Sequence, residues 1–158
     1  MYSIEVNRKK VVAYGAAIIF LQMIVFSILW ANPLVIDLLA QYASHPAVKS
    51  YEFIGGEQSW KLARMLFHIG FMSICIYFYI ALCRSIPGGV ILKGVYFGTL
   101  IGFLRFIPEA FNLWTLVAYP ETLIMLRLLL GFVSFLIFGM LVSVVLEKSK
   151  AIVLRAVG

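Results

Sequence analysis

Six residues of this chain combine ion-binding side chains with positions inside long apolar runs: Arg64, His68, Arg105, Glu109, Asn112 and Arg127. An ionisable group in hydrocarbon is expensive, about 2.5–3.5 kcal/mol for Arg at a helix centre on insertion scales. Each of these charges therefore needs a partner or a ligand. Arg105 and Glu109 stand at i, i+4, a spacing that allows an ion pair along one helix. Arg64, Arg105 and Arg127 outnumber Glu109, so positive charge is in surplus unless Glu57 and Glu121 reach in from the rim. Planar guanidinium groups in a low dielectric suit carboxylate or phosphate. The pattern thus points to an anionic group such as a lipid headgroup. On that reading Arg64, Arg105 and Arg127 contact the anion, Glu109 orients Arg105, and His68 and Asn112 donate hydrogen bonds. The competing reading is an internal salt-bridge network that fixes helix register, with Arg64 snorkelling to the interface.

Catalytic templates fit less well. A bis-His haem needs a second histidine at membrane depth, and the other one, His45, falls in a loop. Met65 and Met72 share a helix with His68 and cannot ligate from the opposite side. A metal site lacks ligands for the same reason, and no nucleophile elbow is present. Glu109 is a single acid where a proton-coupled antiporter would use two, although an Arg105–Glu109–His68 relay stays open. Cys75 and Cys83 lie in one apolar run and read as packing residues. No cofactor and no metal are expected, and an enzyme is the less favoured class.

The elements that must position these residues follow from composition. Of 158 residues 63% are hydrophobic and 13% charged, with a mean hydropathy of +1.02. A soluble domain carries about 25% charged and about 45–50% apolar residues. Half that charge cannot coat a water-facing surface, which excludes a soluble globular enzyme and a disordered chain. The net charge of +6 comes mostly from the ends of apolar runs, with no nucleic-acid motif. A bilayer core needs about 20 apolar residues per helix. Four spans meet this, at residues 11–31, 60–83, 90–117 and 122–146, in a single membrane domain of residues 1–158. The fold expected is all-α: a polytopic four-transmembrane-helix bundle. Trp30-Ala31-Asn32-Pro33 is no small-x-small cleavage site, so the first span reads as retained rather than as a signal peptide.

Loop charge orients the bundle. Arg8, Lys9, Lys10, Arg84, Lys93, Lys148, Lys150 and Arg155 fall on one side, which the positive-inside rule makes cytoplasmic, with both termini. The other side has the long loop 32–59, containing Asp37, Lys49, Glu52 and Glu57, and the short Tyr119-Pro120-Glu121 turn. Trp30, Trp60, Trp114 and Tyr119 form an aromatic belt there. Within the loop, Pro33 opens a short amphipathic segment through Tyr42, read as an interfacial helix or an extension of the first span. Ser44-His45-Pro46 ends it, and Gly55-Gly56 turns the chain into the second span.

The third span is the most informative. Gly94, Gly98 and Gly102 recur every four residues, a small-xxx-small stripe for close helix packing. Arg105, Glu109 and Asn112 continue that stripe at 100° per residue. Pro108 between them is expected to kink the helix. Arg64, His68 and Cys75 share a stripe on the second span, and Arg127, Gly131 and Ser134 share one on the fourth. Gln22 falls near the midplane of the first. Polarity is thus concentrated at one depth, in the outer half.

The run Lys93-Gly94-Val95-Tyr96-Phe97-Gly98-Thr99-Leu100-Ile101-Gly102, then Ile107-Pro108 and a short turn, resembles small four-span bacterial membrane proteins of unknown function. The resemblance covers roughly the last two spans and implies a bacterial inner (plasma) membrane. It implies no activity and no site residue.

The function expected is non-enzymatic. Either the chain binds an anionic lipid or lipid-like ligand among the outer-half arginines, or it is an accessory subunit of a membrane complex with a self-paired Arg/Glu network. A small transporter or redox subunit is a further alternative. The partners expected are membrane lipids and a homo-oligomer or larger complex, without nucleic acid. Neutralising Arg105 alone is expected to strand Glu109 and cut folded yield.

Overall fold

The computed structural model describes residues 2–45, 55–116 and 119–156. In chain order the elements are β1 (Tyr2–Val6), α1 (Arg8–Trp30), α2 (Pro33–Gln41), α3 (Glu57–Leu82), α4 (Val90–Thr115), α5 (Glu121–Lys148) and β2 (Ile152–Ala156). Four of the five helices, α1, α3, α4 and α5, are long and apolar enough to cross a membrane. Their limits lie within a few residues of the four expected spans. Pro46, Lys49, Glu52 and Val117 lie outside the described residues.

Local chemistry accounts for the breaks. The Asn7 side chain caps α1 by accepting from the Lys10 N–H at 3.1 Å. α1 ends at Trp30, and the Asn32 side chain caps the next helix by accepting from the Leu34 N–H at 3.0 Å. Pro33 then opens α2 with a φ already suited to a first turn. So α2 is a separate helix and not an extension of the first span. Its following residue, Tyr42, meets Thr122 at the start of α5, with 3.4 Å between the two hydroxyls. Gly55 and Gly56 both take left-handed backbone, with φ +81° and +94°, before α3. Pro108 sits inside α4 without ending it.

α5 is the helix around which the others pack. Against it α4 lies at backbone contact, because both carry glycine where they meet. A Cβ added at Gly94 would come within 2.6 Å of the Met140 Cα, and one at Gly139 within 2.7 Å of the Gly98 Cα. Gly102 follows along the same seam, beneath the Phe132 ring. No side chain larger than hydrogen fits at Gly94, Gly98 or Gly139 without moving a helix. On another side α1 is tied to α5 by Gln22. That side chain is fully buried and donates to the Ser134 carbonyl at 2.9 Å and reaches its hydroxyl at 2.6 Å. α3 joins through larger groups, including Tyr79, whose ring meets Phe97 edge-on at 5.1 Å. Cys75 and Cys83 are buried and free, packed in this core.

The two short strands are an addition to the expected all-α bundle. β1 and β2 pair antiparallel, with Val6 opposite Ile152 and Tyr2 opposite Ala156. The Asn7 N–H donates to the Ala151 carbonyl at 2.9 Å and extends the clasp to α1. α5 ends in a Schellman closure, Ala151 N–H to Leu146 O at 3.0 Å and Lys150 N–H to Glu147 O at 3.1 Å. Lys150 holds the left-handed position, with φ +55°, that glycine usually takes. Ile4-Glu5-Val6 alternates, but Ile152-Val153-Leu154 is a short apolar run, too little pattern in either place to mark a strand. The pairing forms only because four long helices return the two chain ends to one place, a long-range condition that no local pattern carries.

Gly98→Ala is expected to lower the stability of the detergent-solubilised protein by about 1–3 kcal/mol through overpacking. Gly70→Ala, where an added Cβ meets nothing within 4 Å, should leave it unchanged or raise it by up to about 1 kcal/mol. Thermal unfolding of the pair checks this, and equal responses would contradict the backbone contact.

Candidate functional site

At the end of the bundle away from the termini, α4 and α5 bring together Arg105, Glu109 and Arg127. The glycine seam sets the distance between the helices, and the same face of α4 continues to Arg105 and Glu109. One Glu109 oxygen accepts from Arg105 Nη1, and the other accepts from Arg127 Nη2 at 2.7 Å. A single carboxylate thus bridges two guanidinium groups, one on its own helix and one on the neighbour. Its side chain is 20% exposed, against 32% for Arg105 and 40% for Arg127. Each arginine is also set over aromatic rings. The Arg105 guanidinium carbon lies 5.6 Å from the Phe106 centroid and 5.9 Å from that of Phe67 on α3. The Arg127 carbon lies 5.9 Å from the Tyr119 centroid. Those distances are within reach of cation–π attraction.

Arg64 has a different setting. Its guanidinium carbon lies 4.8 Å from the Trp60 centroid, 4.9 Å from Phe26 and 5.9 Å from Trp30. It is held in an aromatic collar between α1 and α3. His68, one turn on, meets Phe26 in a tilted ring contact at 5.6 Å, and its Nε2 is buried with no hydrogen-bond partner among the described residues. Asn112 is exposed near the end of α4. The six residues therefore do not form one pocket around three arginines. Two arginines share Glu109, while Arg64 and His68 pack with α1. The aromatic rings of Phe26, Trp30 and Trp60 hold the Arg64 guanidinium at the α1–α3 contact, away from Glu109.

Next to the bridge, a shallow cleft runs between α4 and α5, lined by Phe106, Glu109, Ala110, Leu113, Ile124, Arg127 and Leu128. It encloses about 10 Å³, room for one water molecule.

A second polar cluster, at the end that carries the termini, was not anticipated. Lys93 lies 3.3 Å from Glu147 Oε2, and both side chains are mostly buried, at 11% and 14% exposure. The Tyr79 O–H is shared between Glu147 Oε1 at 2.5 Å and Ser143 Oγ at 2.7 Å. Ser143 in turn donates to the Val90 carbonyl at 2.5 Å. Sequence reasoning counted Lys93 among the loop charges. Instead it is one turn inside α4, paired with an acid 54 residues on. The available signal was Glu147, an acid at the end of the most apolar span. The cluster joins α3, α4 and α5 and leaves less charge in the connecting loop than the sequence suggests.

Among the described residues, no group of three His, Cys, Asp or Glu side chains gathers as a metal site would. No protein-family model, no curated protein and no solved structure matches the chain.

The bridge changes the expectation for Arg105. Arg105→Gln leaves Glu109 paired with Arg127, so it should cost about 1 kcal/mol or less. Glu109→Gln strips the partner from two guanidinium groups at once. Breaking a fully buried pair costs about 3–5 kcal/mol, and partial exposure reduces this to about 1–3 kcal/mol. Thermal midpoints of the two variants check the order. A larger loss in Arg105→Gln would contradict the shared carboxylate.

Proposed function

We propose that the chain is a multi-pass protein of a bacterial inner membrane, with both termini in the cytoplasm, that binds an anionic lipid headgroup and catalyses no reaction. The observation that carries this reading is the charge and exposure of the bridge. Two guanidinium groups share one carboxylate, which leaves one formal positive charge, and both arginine side chains are partly exposed, at 32% and 40%. Arg8, Lys9 and Lys10 at the start of α1, Arg84 in the α3–α4 connection and Lys148 and Lys150 at the end of α5 gather at the end with the termini, which supports the orientation. Trp30, Trp60, Trp114 and Tyr119 lie at the opposite end, where an interfacial belt belongs. In that orientation Arg127 lies about 9 Å and Arg105 about 15 Å below the outer ends of their helices, so their side chains rise toward the headgroups to meet a phosphate drawn below that level.

A second reading, an accessory subunit whose Arg/Glu network serves only to fix helix register, draws on the cleft. Its water-sized volume means that the bridge needs no ligand to be packed. The partner in that case is another membrane protein, or a second copy of this chain.

Native mass spectrometry of protein extracted in mild detergent separates the two. The lipid-binding reading expects a retained anionic lipid that falls at least tenfold in Arg127→Ala, while Lys61→Ala, which alters an exposed pair with Glu57, leaves it unchanged. A lipid-free protein that keeps a bound protein subunit would overturn the lipid reading in favour of the second.

A further inference from the structure

Resting on the lipid-binding reading, we infer that the ligand is a singly charged phosphodiester lipid, its phosphate on the exposed edges of Arg105 and Arg127 and one acyl chain along the α4–α5 groove. The first observation is the charge count. Arg105 and Arg127 contribute two positive charges and Glu109 one negative, held together by direct hydrogen bonds. At the edge of a low-dielectric layer an uncompensated charge is costly, so the ligand that leaves the site neutral is favoured. That ligand carries one negative charge. A phosphomonoester carries about −1.5 to −2 at neutral pH and would leave excess negative charge beside Glu109. A zwitterionic lipid brings its own ammonium group to two guanidinium groups.

The second observation is geometric. Glu109 takes one N–H from each arginine, one oxygen apiece. The two cations are thereby held by a common acceptor, and their side chains stay partly exposed, at 32% and 40%. A phosphodiester has two non-bridging oxygens and can repeat that pattern from outside, one oxygen to each guanidinium. The third is the groove itself. Apart from Glu109 and Arg127 its lining is apolar: Phe106, Ala110 and Leu113 on α4, Ile124 and Leu128 on α5. It is too shallow to enclose a chain, but it offers an apolar track that starts at the charged pair. Glu109 thus acts as a valence selector, lowering the site from +2 to +1.

The test is lipid competition on the full chain at about pH 8, where the phosphomonoester is mostly dianionic. Protein in detergent is mixed with equal amounts of phosphatidylglycerol, phosphatidic acid and phosphatidylethanolamine, and the bound lipid is read by native mass spectrometry. Wild type is expected to hold one phosphatidylglycerol, preferred at least fivefold over either competitor. Glu109→Gln raises the site to +2 and should reverse the order in favour of phosphatidic acid. If wild type retains no anionic lipid, the functional reading itself falls. If it retains anionic lipid but prefers phosphatidic acid or does not discriminate, only the valence inference falls, whether or not Glu109→Gln folds. An unchanged order in folded Glu109→Gln also overturns it. Soluble glycerophosphoglycerol should displace the lipid at least a hundredfold less well than intact phosphatidylglycerol. Equal displacement would overturn the role of the groove.

Discussion

One carboxylate holding two guanidinium groups is the interaction on which the rest of this molecule's polar chemistry turns. Glu109 reaches Arg105 because both lie on the same face of α4, one turn apart. It reaches Arg127 only because α4 and α5 run at backbone contact. That contact exists because glycine stands at Gly94, Gly98 and Gly139, where any Cβ would collide with main chain. In a bilayer, helix association gains little from the hydrophobic effect and depends on close packing and interhelical hydrogen bonds. The glycine seam supplies the first. Glu109, Gln22 and Glu147 supply the second, at the far end, the middle and the terminal end of α5.

The two ends of the bundle differ in how their charged groups are enclosed. At the terminal end, the Lys93–Glu147–Tyr79–Ser143 cluster is mostly buried and satisfied by its own members. The β1–β2 clasp and the Schellman closure of α5 complete it. At the opposite end, the arginines of the bridge keep 32% and 40% of their side chains exposed. The closed cluster reads as a lock on helix register. The open one keeps side-chain surface that a partner can reach, whereas the Glu147 cluster is enclosed by its own helices.

Much of this was legible in the chain because of the type of signal. Helix number and limits follow from runs of about 20 apolar residues, which are local. The glycine stripe and the i, i+4 pair on α4 follow from periodicity, also local. What could not be read was which helix faces which. Nothing near Arg127 says that it shares Glu109 with Arg105. Nothing near Arg64 says that Phe26 and Trp30, more than thirty positions earlier, supply its setting. Lys93 was assigned to a loop because Val90 starts the apolar run only three residues before it, too little sequence to tell a rim charge from a buried one. The strands were missed because Val6 and Ile152 become neighbours only after every helix is placed.

The most direct test of the shared carboxylate is solid-state NMR in lipid bilayers, with the Glu side-chain carboxyl carbon labelled with ¹³C and the Arg side-chain nitrogens with ¹⁵N. The Glu109 signal should show dipolar dephasing from two guanidinium groups, and Arg127→Lys should remove one contribution while the other persists. Dephasing by a single guanidinium in the unmodified chain, or by none, would contradict the account.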